Sequence, residues 1–325
     1  MQEQISTSFT TQFEEDVYKG LTDFPKHLSS KYFYDAAGDK LFQDIMNMPE
    51  YYLTDCEHSI LDRYKEAISD QFSSGNNEFN LIELGAGDGK KTKILLGHMA
   101  ARNLPFTYIP IDISQNVLDQ LQRSIHKELP QVNVAPLQGT YFEALKELTT
   151  LKYTRKVIMF LGSNIGNLLH HQAVVFLKKV QEFMQYDDLL FIGFDQKKHP
   201  QTVLNAYNDT AGITEAFNKN VLLRMNRELG ANFDPSTFLH WEVYDPETGT
   251  ARSFLVSKSP QSVYIQSLDL VIHFKEWETI QTEISQKYNE DVIRWLAEQS
   301  GLKIENEFTD ASRYYKNVVF RKMLP

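Results

Sequence analysis

Between residues 81 and 195 the chain sets out five short apolar runs, "LIEL", "FTYIPIDIS", "VNVAPLQGTY", "RKVIMFLGS" and "DLLFIGFD". The four gaps between them hold "KKTKILLGHMAAR", "QNVLDQLQRSIHKEL", "FEALKEL" and "HHQAVVFLKKVQEFM", all with helical spacing of apolar residues. Strands that alternate with helices predict a parallel sheet covered on both faces, and this pattern limits the fold more than any other feature. After Asp195 the alternation stops. Residues 197–240 read as helical, and "FLHWEVYD", "ARSFLVSK", "QSVYIQSL" and "LVIHF" as antiparallel strands, with "PETG" as a hairpin turn. A helix over 288–299 and two closing strands, "LKIENEFTD" and "YKNVVFRKM", return to the sheet. Residues 196–285 are thus expected to form an insertion or cap.

Ahead of the sheet, residues 1–12 read as a frayed tail, and "FEEDVYKGLTD" and "AAGDKLFQDIMNM" as helices. "SSKYFYD" lies between them. Thr54 is expected to cap the next helix, with Glu57 as its capping-box partner. The 325 residues carry a formal net charge of -10, which argues against a nucleic-acid binder. Cys56 is the one cysteine, so no internal disulfide and no cysteine-based metal cluster is expected, and a reducing cytoplasm fits. No signal peptide or membrane span is expected, since the N-terminus is polar and no run of about eighteen apolar residues exists. The adjacent pair His170 and His171 points in different directions on a helix, and no metal site is expected.

The first strand ends in "ELGAGDGKKT", and a strand, glycine loop and helix in this order make an anion and ribose site. Gly85, Gly87 and Gly89 are spaced by two, so the gap that a P-loop needs before Gly-Lys is absent. The dinucleotide fingerprint asks for glycine at position 90, which is lysine. An acid before the first glycine, Glu83, and a second acid at the end of the next strand, Asp112, suit S-adenosylmethionine. A carboxylate at Asp112 can hold both ribose hydroxyls. Glycine loops of this type name a cofactor class and leave the acceptor open.

Further motifs follow in order: "SKYFYDAAGDKLFQDIMNMPEYYLT", "LIELGAGDGKKTKILL", "YIPIDIS", "MFLGSNIGNL", "YNDTAGITEAFNKNVLLRMNRELGANF" and "IQTEISQKY". Together they resemble the L-histidine Nα-methyltransferases of ergothioneine biosynthesis, which make hercynine, the trimethyl betaine of histidine. The resemblance runs from about residue 30 to the C-terminus. It implies an α/β fold, a Rossmann-like methyltransferase sheet over 61–195 plus 286–325, with a second α+β substrate-binding domain over 13–60 plus 196–285. It also implies the site. Lys91 would meet the methionine carboxylate and Thr140 and Tyr141 would flank the adenine, completing the set Glu83, Gly85, Gly87 and Asp112. Thr140 stands where the family usually has an acid.

Tyr34 and Tyr51 would face the acceptor, where aromatic rings attract the quaternary ammonium product and hydroxyls can bond the amine. Asn167 would bind the amino acid backbone, the carbonyl of Gly162 would approach the amine, and Tyr207 would donate to the carboxylate. Glu283 and Ser285, on one face of an extended "IQTEIS", would satisfy the two imidazole nitrogens. Ser253 stands where a member of that family carries a methionine against the imidazole. Methyl transfer asks mainly for positioning of a neutral amine, with water or Tyr34 taking the proton and Asn167 in the reacting constellation. Methylation of another amino acid, a non-catalytic binder of S-adenosylmethionine and an NAD-dependent oxidoreductase are the competing readings.

Overall fold

The computed structural model describes residues 9–74, 78–148 and 154–324. Helices α1 (Gln12–Thr22), α2 (Ala36–Met46) and α3 (Tyr52–Phe72) come first. The alternating region runs β1 (Phe79–Leu84), α4 (Thr92–Ala101), β2 (Phe106–Asp112), α5 (Gln115–Glu128), β3 (Asn133–Val134), β4 (Leu137–Gln138), α6 (Tyr141–Leu148), β5 (Arg155–Phe160), α7 (His170–Glu182) and β6 (Leu189–Asp195). Next come α8 (Pro200–Asn205), α9 (Ile213–Leu229), β7 (Phe238–Asp245), β8 (Thr250–Ser257), β9 (Gln261–Ile265), β10 (Leu270–Phe274) and β11 (Thr279–Gln286). The chain closes with α10 (Glu290–Gln299), β12 (Leu302–Thr309) and β13 (Tyr315–Lys322).

These elements form two compact units, one of residues 9–52 and 198–285, the other of residues 53–74, 78–148, 154–197 and 286–324. The expected division at 60 and 61 is drawn at Tyr52 and Leu53. The reason lies in α3, whose buried Ile60, Leu61, Ile68 and Phe72 belong to the second unit together with Glu57.

In the second unit the strand order is β12-β13-β6-β5-β1-β2-β3, with β4 also on β2. β6, β5, β1, β2, β3 and β4 run parallel, while β13 is antiparallel to both β6 and β12. β1, β5 and β6 are buried along their whole length, as strands covered on both faces must be. The third run expected as one strand is split into two short bridges to β2. Pro136 sits between them and has no N–H to donate to the ladder. Chain order reverses between β1 and β5, the place where open α/β sheets bind ligands beyond the carboxyl ends of their strands.

In the first unit β11-β8-β7 form one sheet and β10-β9 a hairpin. The "PETG" turn joins β7 to β8 as expected. α9 packs its Phe217, Val221, Leu222 and Met225 into a core shared with α1, α2 and these strands. Asp209 opens α9 by accepting the amides of Ile213 (2.9 Å) and Thr214 (2.8 Å).

Candidate functional site

The loop after β1 holds Gly85, Gly87 and Gly89 at φ of +73°, +54° and +64°. A side chain is strained in that region. At Gly85 a Cβ would also stand 2.8 Å from the Tyr141 hydroxyl, whereas at Gly87 it would meet nothing within 4 Å. The loop therefore exposes backbone at Gly87, where a ligand can approach.

Glu83, just before the loop, is buried and faces inward. It accepts from Thr92 Oγ1 at 2.6 Å and from the Tyr108 hydroxyl, tying the last turn of β1 to α4 and β2. Burial pushes its carboxyl up to about 7, against the pull of those two donors. Asp112 ends β2 and accepts from the Ser114 amide at 3.0 Å. Burial raises it as well, opposed by the amides of Ser114, Gly87 and Ile113. The Gly87 amide thus links the glycine loop to the acid that ends β2.

Thr140 and Tyr141 open α6. Thr140 bonds Glu143 reciprocally, its hydroxyl at 2.6 Å and its amide at 3.1 Å from Glu143 Oε2. Tyr141 packs on Phe160 and Phe176, and burial pushes its phenol up to about 12.

Lys91, at the start of α4, does not stand alone. Its ammonium is paired with the fully buried Glu57. Glu57 also accepts the Gly162 amide at 2.8 Å, the Asn317 amide at 2.9 Å and the Tyr315 hydroxyl at 3.1 Å. The expected role of Glu57 as capping partner of Thr54 is corrected: α3 already begins at Tyr52, so Thr54 lies inside it, and Glu57 faces the sheet. Gly162 takes φ +73° and lies beside Lys91, whose Nζ is 3.6 Å from where a Cβ would stand. Asn167 ends the one-turn helix Asn164–Asn167 that follows, a segment held by the Tyr288 hydroxyl on the Ile165 carbonyl (3.0 Å).

In the first unit, Tyr34 and Tyr51 stand on either side of α2 and share Phe42. The Tyr34 and Tyr51 rings lie 5.4 Å and 6.3 Å from it, and Tyr34 lies 5.5 Å from Phe217. Phe42 and Phe217 complete an aromatic group of which sequence reasoning saw only the tyrosines. Tyr207 donates to Ser285 Oγ at 2.7 Å in a buried contact. Ser253 donates to Glu283 at 3.1 Å. β11 is extended through 283 and 285, and the helix after it is capped by Asn289, so Ser285 is no cap. Thr214 Oγ1 is buried with no hydrogen-bond partner. Within this unit the structure brings together Tyr207, Ser285, Glu283 and Ser253; within the other it brings together Lys91, Gly162, Glu83, Gly85, Gly87, Asp112 and Tyr141.

The model of the SAM-dependent histidine-specific methyltransferases matches residues 13–322. The chain belongs to this family. A histidine N-alpha-methyltransferase of Mycolicibacterium smegmatis is 36% identical over 296 residues, covering 91% of this chain and 90% of its own. A second, from Mycobacterium tuberculosis, is 34% identical over 88% of this chain and 91% of its own. Ergothioneine biosynthesis protein 1 of Schizosaccharomyces pombe is 29% identical over 92% of this chain and 39% of its greater length. The SAM-dependent methyltransferase fold and the cofactor class expected from the glycine loop are those of the family.

Three residues of this histidine-specific methyltransferase escaped sequence reasoning. Glu143 was legible, since "TYFE" has the capping-box spacing. Thr214 lies inside the quoted stretch "NDTAGITEAF", yet nothing in its spacing marks it. Glu57 is set by partners far along the chain. Among the described residues no helix is long and apolar enough to cross a membrane, and no group of three or more His, Cys, Asp or Glu has metal-binding geometry.

Proposed function

We propose that this chain methylates the α-amine of free L-histidine three times, giving Nα,Nα,Nα-trimethylhistidine, with S-adenosylmethionine as donor. The observation that carries it is the polar group of the first unit in which Tyr207 bonds Ser285 and Ser253 bonds Glu283. A carboxylate and a hydroxyl two residues apart on one strand suit the two nitrogens of an imidazole.

The residues of the second unit fit the cofactor. Gly87 leaves open space where a side chain would stand, and Asp112 is held at the strand end by the amides of Ser114 and Ile113 that follow it and by that of Gly87. Gly85 and Gly87 would let backbone approach it, Asp112 would take the ribose hydroxyls, and Thr140 and Tyr141 would flank the adenine. Lys91 would face the methionine carboxylate while Glu57 fixes its ammonium. Glu83 would hold the loop from beneath. When bound, S-adenosylmethionine supplies an electrophilic methyl group.

The rest is positioning of the acceptor. Asn167 and the Gly162 carbonyl would hold the amine and its backbone, and Tyr207 would serve the carboxylate. Tyr34 and Tyr51 would bond the amine while it keeps hydrogens, Tyr34 passing its proton to water, and would then face the growing ammonium with their rings. Histidine and S-adenosylmethionine are both small soluble reactants, and the reaction is set in the cytoplasm.

The hydrogen bond from Ser253 to Glu283 favours one second reading, Nα-methylation of another amino acid, because Ser253 occupies one of the polar groups that would read the imidazole. The test is a screen of the twenty amino acids with S-adenosylmethionine, products read by mass. Mono-, di- and trimethylhistidine are expected. No histidine product, with methylation of another amino acid, overturns the assignment.

A further inference from the structure

The acceptor reading above leaves one part of the first unit unexplained, and the following inference rests on that reading. β7 is amphipathic in the wrong sense. Its apolar Leu239, Trp241 and Val243 are 38%, 57% and 40% exposed, while the side chains of His240 and Glu242 are 4% and 2% exposed. A half-buried strand ordinarily turns its apolar residues in and its charged ones out. Burying a carboxyl and an imidazole costs free energy unless both are hydrogen-bonded. Both Glu242 oxygens and His240 Nε2 lack an aligned hydrogen-bond partner, the neighbouring Ser253 hydroxyl donating to Glu283 instead. Nε2 lies 2.5 Å from Glu242 Oε1, without the alignment of a hydrogen bond.

The pair also has a definite place. Glu242 is in register with Ser253 on β8, and the Ser253 hydroxyl donates to Glu283 on β11. A polar row therefore crosses all three strands of the sheet, with the histidine-reading Glu283 at one end and the unsatisfied Glu242 at the other. Folding gains nothing from the unsatisfied end of this row, so the free valences of Glu242 and His240 call for a ligand.

We propose that Glu242 is a specificity-determining residue of the acceptor pocket, held in place by His240, and that it selects amino acids whose side chains form hydrogen bonds. An apolar side chain would leave the Glu242 carboxyl and the His240 nitrogen unpaired on binding. Sites built this way reject the analogue that lacks the polar atoms far more strongly than apolar pockets reject a wrong size. Burial pushes the Glu242 carboxyl up to about 9, opposed by Ser253, so near neutral pH it is protonated and can donate as well as accept. The titratable groups around the pair are Glu283 on β11, Glu215 and Lys219 on α9, and Asp209 before it. Burial holds the His240 ring below its ordinary value despite the pull of Glu283 and Glu215.

The experiment compares wild type, Glu242→Leu, Glu242→Gln and Glu283→Ala with L-histidine and L-phenylalanine, and measures binding of S-adenosylmethionine by calorimetry. Glu242→Leu is expected to cut the histidine-to-phenylalanine ratio of kcat/KM about tenfold or more, with cofactor affinity within about twofold of wild type. Glu242→Gln, which keeps the shape and a donor, recovers most of that ratio. The wild-type histidine KM divided by that of Glu242→Gln is flat near neutrality and rises through about pH 9, where only the wild type ionises. Substrate ionisation cancels in this quotient. An unchanged amino acid ratio in Glu242→Leu overturns the proposal, and so does equal loss on both amino acids and the cofactor. If Glu242→Leu does not fold, a flat quotient across that range overturns it. A wild type inactive on histidine refutes the acceptor reading itself. Histidine methylation that Glu283→Ala impairs and Glu242→Leu spares refutes only the role of Glu242.

Discussion

Glutamine at position 57 would keep the volume of the buried glutamate and remove its charge. Four donors converge on this carboxylate: Lys91 Nζ and the Gly162 amide on Oε2, Tyr315 and Asn317 on Oε1. A glutamine accepts at one end only, so its NH2 group must face one of the two donor pairs in either orientation. Each buried donor left unsatisfied costs about 1–3 kcal/mol. Breaking a buried ion pair costs about 3–5 kcal/mol, and this overlaps the first figure because Lys91 enters both. Lys91 is partly open to water, which lowers the cost. The expected loss for Glu57→Gln is therefore about 3 kcal/mol, a large share of the roughly 5–15 kcal/mol that holds a typical domain. For a unit of this size that is a fall in Tm of about 6–12 °C. Urea unfolding and calorimetry would measure it. The affinity for S-adenosylmethionine is expected to fall about tenfold, because Lys91 and Gly162 lose the charge that anchors both in either orientation, a loss of about 1.4 kcal/mol. Combining the change with Lys91→Met closes a cycle, whose coupling is expected at about 1–3 kcal/mol. Stability of Glu57→Gln within about 0.5 kcal/mol of wild type, or a coupling of zero, would refute the reasoning.

Further expectations follow from the same geometry. Glu83 is raised from 4.5 to about 7, so the folded chain keeps a proton that the unfolded chain releases. Its contribution to stability falls as pH rises through that window, by about 3 kcal/mol in all, and Glu83→Gln should flatten this part of the pH dependence of the urea midpoint. Gly87→Ala meets no neighbouring atom and should cost only the backbone strain of about 1–2 kcal/mol, yet weaken cofactor binding in calorimetry. Gly85→Ala adds a clash with the Tyr141 hydroxyl and should melt lower than Gly87→Ala. Ser285→Ala removes the hydroxyl that Tyr207 donates to and the one expected to meet the imidazole; the histidine KM should rise about tenfold while cofactor affinity holds.

The sheet was legible because its signal is local: "VIMF" and "LLFIGF" are apolar along their length, and both proved to lie in strands buried throughout. The third strand was overestimated because one proline outweighs the flanking β-formers. The candidate site divides in the same way. The glycine loop and Asp112 sit at strand ends that the alternation itself locates. Glu57 was misread because "TDCE" has capping-box spacing, while its true partners stand 34, 105, 258 and 260 residues away. β7 defeats pattern reading altogether. "FLHWEVYD" alternates, which fixes two faces, but alternation does not say which face a fold will bury when the inner one is reserved for a ligand.

The strand order has a consequence for how the protein is made. β13 is the last of the described elements, yet it lies inside the sheet between β12 and β6, paired with β6 from Tyr315 to Arg321. Until those residues leave the ribosome, β6 presents an open edge, the kind that recruits strands from other chains. The buried Glu57 likewise waits for Asn317 and Tyr315 to arrive. A nonsense codon at Tyr314 would spare every glycine of the cofactor loop and every polar residue of β7, β8 and β11. It would still leave the nascent chain without the strand that seals its sheet, and such a product should be found in aggregates.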